Sequence, residues 1–99
     1  MEKGTPDCKL PVVKALVEVG KVRTTYSAEL GAAQLGLKNS DILTVVMSLT
    51  PSCFYQIMTT HADHKAWQDV YHAKTASGTG VYLKLTVVED VLIVSFKEL

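Results

Sequence analysis

The 99 residues, 47% hydrophobic and 20% charged, suit a single domain spanning residues 1–99 and lie far from the polar, highly charged composition of disordered chains. Ten basic and ten acidic side chains cancel to zero formal charge, so no global field announces nucleic acid or membrane, and any basic site must be local. Two cysteines, Cys8 and Cys53, are too few for a disulfide scaffold, and Met1-Glu2-Lys3-Gly4 leads into no apolar stretch, which together predict a cytoplasmic protein with reduced thiols.

In chain order, Asp7 is a plausible cap for a first helix in which Leu10, Val13, Leu16 and Val17 recur at helical spacing. Pro11 fits only in the first turn, and Gly20 marks the stop. Lys21 to Thr25 reads as a short strand. Ser27 is expected to cap a second helix with Leu30, Ala33 and Leu37 on its apolar side. A third helix begins at Asn39 or Ser40 and buries Ile42, Val45, Val46 and Leu49, and Thr50-Pro51 resembles a new helix start. Although Ile42 to Thr60 carries no charge, its many hydroxyl and amide side chains make it too polar to cross a bilayer.

The last third alternates with the period of two that marks strands. Trp67 to Thr75, Val81 to Val88 and Val91 to Lys97 read as three of them, the first two joined by Ala76-Ser77-Gly78-Thr79-Gly80. Helices first and an antiparallel meander last define an α+β domain.

Placing Glu89-Asp90 at the centre of an even hairpin loop sets Val88 opposite Val91, Lys84 opposite Ser95 and Tyr82 opposite Lys97. Leu83, Leu85, Val87, Leu92, Val94 and Phe96 then form an oily face. The same counting across Ala76 to Gly80 sets Lys74 opposite Tyr82 and His72 opposite Lys84. Gln68, His72, Lys74, Tyr82, Lys84, Ser95 and Lys97 thus share one sheet face that has no carboxylate.

Such a face can be an ordinary solvated surface, on which lysines also discourage edge pairing. It can also hold a phosphate backbone and stabilise charge developing on phosphorus. Cleaving RNA without metal needs a group to take the 2′-hydroxyl proton, a cation for the five-coordinate phosphorus and a proton for the leaving oxygen. Tyr82, Lys84, Lys97 and His72 can fill those roles. A phenol ordinarily titrates near ~10, and ammonium neighbours are expected to lower that value for Tyr82.

His61, Asp63, His64 and His72 offer a competing zinc set by residue type, although His-x-Asp-His matches no standard ligand spacing. Phe54, Tyr55, Trp67 and Tyr71 can stack on bases or belong to the core, and Trp67 and Tyr71 share the core-facing parity.

Several segments resemble one known family along nearly the whole chain. They include Val22-Arg23-Thr24-Thr25, Leu35-Gly36-Leu37, Phe54-Tyr55 leading to Met58-Thr59-Thr60, and Asp63-His64. The more specific ones are Trp67-Gln68-Asp69-Val70-Tyr71, Val81-Tyr82-Leu83-Lys84 and Asp90-Val91-Leu92-Ile93-Val94-Ser95-Phe96-Lys97-Glu98. On these motifs the chain is similar to the MqsR (motility quorum-sensing regulator) toxins of bacterial toxin–antitoxin modules.

The resemblance implies a microbial-RNase fold like that of RelE and YoeB, and a sequence-selective, ribosome-independent mRNA endoribonuclease that cuts GC-containing triplets such as GCU. It implies catalytic positions at Gln68, Tyr82 and Lys97, with a fourth, usually lysine, occupied here by Gln56. RNA-binding positions are expected at Lys84, His72 and Lys74, and His72 or Lys84 is expected to take over part of the missing lysine's work. The implied chemistry uses no metal or other cofactor. The implied partners are an mRNA substrate and a cognate zinc-binding antitoxin, MqsA-like, through which DNA is met only indirectly. A catalytically weakened relative that binds antitoxin or RNA is the alternative.

Overall fold

The computed structural model describes residues 6–59 and 67–99. Its elements are α1 (Leu10–Glu18), β1 (Val22–Thr24), α2 (Tyr26–Gln34), α3 (Asn39–Ser48), a 3-10 turn (Pro51–Cys53), β2 (Phe54–Thr59), β3 (Trp67–Lys74), β4 (Gly80–Val88) and β5 (Asp90–Glu98). The helices pack on one face of a five-stranded sheet of order β1-β5-β4-β3-β2, an α+β architecture.

The sheet is mixed rather than purely antiparallel, because β1 lies parallel to β5 and pairs Val22 with Val91 and Thr24 with Ile93. Only the remaining neighbours are antiparallel. Strand β2, which the sequence pattern did not reveal, forms the far edge beside β3.

In α1, Leu10, Val13 and Val17 are buried as their spacing predicts, and Pro11 sits in the first turn. The residue at its N-terminal boundary is Lys9 rather than Asp7. The backbone amides of Asp7 and Cys8 instead donate to the buried carboxylate of Asp69 on β3, at 2.8 and 3.1 Å. A long-range tether thus replaces the expected local cap. Gly20 ends the helical segment at φ 83°, a conformation that a Cβ would oppose.

Helix α2 is capped by Thr25, not Ser27. The Thr25 hydroxyl accepts from the Ala28 amide at 3.1 Å and donates to the Val94 carbonyl at 2.8 Å, fixing the helix start to β5. Its buried side is Ala28, Gly31 and Ala32, while the expected Leu30 and Ala33 face solvent. Proximity explains the difference: a Cβ on Gly31 would lie 1.7 Å from the carbonyl oxygen of Phe96. Only the smallest side chains fit between this helix and β5, so volume outweighs hydrophobicity here.

Helix α3 buries Ile42, Val45 and Val46 as expected, and Asp41 accepts from the Lys38 amide at 2.8 Å. With Leu49 these residues join Tyr71, Ala73, Val81, Leu83, Leu85, Val91, Ile93 and Phe96 in one core between helices and sheet.

The β4–β5 hairpin departs from even-loop counting near its turn. Tyr82 pairs with Lys97 and Lys84 with Ser95, as expected, but Val88 pairs with Asp90 rather than Val91. Glu89 alone makes the turn, at φ 66°. A bulge between Lys84 and Leu85 restores the register by leaving Val94 as the extra residue on β5. The parity of β5 therefore changes along its length. Val91 and Ile93 are fully buried near the turn, Leu92 and Val94 are displaced from the expected oily face, and Phe96 returns to the core beyond the bulge.

Candidate active site

The sheet face opposite the helices is built in rows across the strands. In one, His72 on β3 pairs with Tyr82 on β4, which pairs with Lys97 on β5. The expected pairing of His72 with Lys84 is displaced by two residues, because the turn closes at Thr75 and Thr79 and Lys74 pairs with Gly80. A two-residue displacement leaves the parity intact, so His72, Lys74, Tyr82 and Lys84 keep the expected face. A second row runs Gln56, Val70, Lys84 and Ser95, and a third pairs Met58 with Gln68.

A bulge between Phe54 and Gln56 carries the first row onto β2. Phe54 faces the core and meets Tyr71 edge to face, with ring centroids 5.7 Å apart. The extra residue, Tyr55, turns to the open face and stacks on His72 at 4.0 Å and 16°. The Tyr55 ring is 58% exposed, so one of its faces is open to solvent. His72 in turn lies 6.2 Å from the Tyr82 ring, tilted at 47°. The result is a continuous line of Tyr55, His72, Tyr82 and Lys97.

Tyr82 leans across the sheet. Its hydroxyl approaches Met58 Sδ at 3.9 Å, placing it in the row that contains Gln68. The Lys97 ammonium stands over the Tyr82 ring, 5.0 Å from the centroid, rather than beside the oxygen. Burial consequently dominates and pushes the phenol pKa up, opposite to the lowering expected from nearby lysines. The hydroxyl is held in its protonated, proton-donating form.

Gln68 is buried at 7% exposure, and its Oε1 has no hydrogen-bond partner among the described residues. An unpaired buried acceptor is costly, at about 1–3 kcal/mol, and such an atom is suited to a donor brought by a ligand. Gln56 and Lys84 occupy the same row on either side of fully buried Val70, roughly 10 Å apart by the ordinary spacing of strands. Lys74 is exposed at the end of β3 beyond the aromatic line.

Of the zinc set read from the sequence, His61, Asp63 and His64 lie outside the described residues. His72 is engaged with Tyr55, and no group of three metal-ligating side chains occurs among the described residues. No described helix is long and apolar enough to cross a membrane.

Two contributors were missed in the sequence. Met58 contacts the Tyr82 hydroxyl, and Tyr55, whose sequence context fits core or base stacking alike, stands on the open face. The bulge that turns Tyr55 outward depends on pairing with β3, so local periodicity offers no signal for it.

Comparison with known proteins gives the chain a family context. A family model described as motility quorum-sensing regulator, toxin of MqsA, matches residues 5–98. A relative named mRNA interferase toxin MqsR, from Escherichia coli (strain K12), is 54% identical over 98 residues, covering 99% of each chain. A match of this extent and identity shows that the chain belongs to the motility quorum-sensing regulator toxin family.

Proposed function

We propose that this chain is an mRNA interferase toxin that cleaves single-stranded RNA on the open sheet face. The supporting observation is the line Tyr55, His72, Tyr82 and Lys97, free of carboxylates and adjoining the unpaired Gln68 amide oxygen. The relative's activity is consistent with it.

The reaction is an in-line transfer within the RNA. The 2′-oxygen attacks the adjacent phosphorus as the bond to the 5′-oxygen breaks, yielding a 2′,3′-cyclic phosphate and a 5′-hydroxyl. Because burial keeps the Tyr82 phenol protonated, it acts as the acid that protonates the leaving 5′-oxygen. The His72 imidazole, a side-chain type suited to proton exchange near neutral pH, takes the 2′-hydroxyl proton. Lys97 and Lys84 offset the charge that develops on the phosphorane. The Gln68 oxygen accepts a hydrogen bond from the bound nucleotide, and Gln56 donates one to phosphate without contributing charge.

These roles require neither a metal nor the ribosome. The preferred cut is at GC-containing triplets such as GCU. The partner is a cognate MqsA-like antitoxin that carries the zinc and mediates any contact with DNA.

Incubation of the purified protein with a GCU-containing RNA in EDTA tests the reading. Cleavage with 2′,3′-cyclic ends is expected, and a 2′-deoxy substitution 5′ to the cut is expected to abolish it. Loss of cleavage in EDTA would overturn the metal-free mechanism. Neutral Gln56 in the Lys84 row favours a second reading, a weakened RNA- or antitoxin-binding homologue, which predicts binding without cleavage.

A further inference from the structure

A cavity of about 440 Å³ adjoins the aromatic line and shares His72 with it. It exists because β2 begins at Phe54, opposite Tyr71, leaving the later residues of β3 without a neighbour on that side. The gap is bordered by the end of α3 and the 3-10 turn, through Ser48, Ser52 and Cys53, and by Lys74 and Leu99. The turn is held by the Thr50 hydroxyl, 2.8 Å from Ser52 Oγ and 3.4 Å from Cys53 Sγ.

We propose that this cavity is a nucleotide subsite, receiving the base that adjoins the cleaved phosphate. This inference rests on the reading of the open face as an RNA-cleaving surface. The volume lies in the range of small-ligand pockets and accommodates one nucleotide. Leu99 supplies apolar surface for the ring, the serine hydroxyls meet the polar edge of the base, and Lys74 meets a phosphate. Lys74 stands two residues beyond His72 on β3, about 7 Å along the strand, comparable with one nucleotide of an extended chain. Cys53 and His72 alone are too few to make this a zinc site.

The test uses 2′-O-methyl RNAs, which bind without being cut, and measures their affinity by fluorescence anisotropy. A trinucleotide that reaches the cavity is expected to bind the parent about tenfold more tightly than the dinucleotide lacking that base, about 1.4 kcal/mol. In Ser52→Trp, which fills the cavity from an exposed turn position, the ratio of the two constants is expected to fall to near one. The same trinucleotide is expected to slow alkylation of Cys53, with Cys8 in the same molecule as the reference thiol. Equal affinity of the parent for both lengths, an undiminished ratio in Ser52→Trp, or alkylation of Cys53 unaffected by RNA would each overturn the subsite. Protection of Cys53 by purified antitoxin but not by RNA would do the same. A parallel cleavage assay separates the two readings: length-dependent binding without cleavage removes the nuclease and keeps the subsite, and cleavage with length-independent binding does the reverse.

Discussion

Lys97 stands over the ring of Tyr82, 5.0 Å from its centroid, while the Tyr82 hydroxyl approaches Met58 Sδ at 3.9 Å. The ammonium therefore braces the ring and leaves the oxygen for the substrate. Tyr82→Phe keeps the ring, its burial and the cation contact, and removes only the proton donor. Cleavage is expected to fall by about 10²–10⁴-fold, the usual range for a lost general acid, with RNA affinity within about twofold. Single-turnover cleavage and anisotropy on the same preparation separate these quantities, and full activity in Tyr82→Phe would remove the phenol from the chemistry.

Alkaline pH should weaken the fold. Burial, followed by the Asp69 charge, raises the Tyr71 phenol pKa, burial raises that of Tyr82, and burial with Asp69 raises the Cys8 thiol. Each group loses its proton more readily when unfolded, so the native state binds more protons at high pH and stability falls as pH rises. Denaturation midpoints are expected to be level around neutrality and to decline from about pH 9–10 upward, where unfolded thiols and phenols ionise. Tyr71→Phe, which also removes a buried hydroxyl without a partner among the described residues, is expected to flatten that decline. An unchanged slope would show that Tyr71 does not carry the linkage.

The contact between Gly31 and Phe96 sets the distance from α2 to β5. A Cβ at Gly31 would overlap a backbone oxygen, which cannot swing aside as a side chain can. Gly31→Ala is expected to cost at least about 1–3 kcal/mol, the range for overpacking, despite alanine's better helix propensity. Urea unfolding checks this, and a midpoint equal to the parent's would mean that the helix can ride outward freely.

Charge in the Lys84 row can be restored. Gln56→Lys places an ammonium across Val70 from Lys84. Tighter RNA binding is expected, with the logarithmic salt dependence steeper by about 0.7, the value for one extra phosphate contact to a single strand. Affinity measured across a salt series decides, and an unchanged slope would place residue 56 outside the RNA path.

The placement of Gln68, His72, Tyr82, Lys84 and Lys97 on one face was legible in the sequence. Side chains alternate along a strand with period two, and a register error of two residues preserves the face. For that reason the mistaken partner of His72 did not disturb the grouping. The cores of α1 and α3 were legible for a similar reason, since apolar residues at three- and four-residue steps mark one side of a helix. Helix α2 was not, because its contact side is chosen by the backbone of Phe96 rather than by its own hydrophobicity.

Residue order and chemistry by themselves determined the α+β class and the shared face of β3 and β4. They did not determine an acid-free open face, because the one-residue turn and the bulge set Asp90 opposite Val88, on the parity of Tyr82 and Lys84, where it pairs with Arg23. Tertiary structure alone decided that β1 runs parallel to β5, that Tyr55 turns outward to stack on His72, and that Lys97 covers the Tyr82 ring instead of its oxygen. Strand periodicity is a local property of each segment's own side chains. Bulges, strand neighbours and burial arise from contacts between segments distant in sequence, and the protonation of Tyr82 follows from that burial.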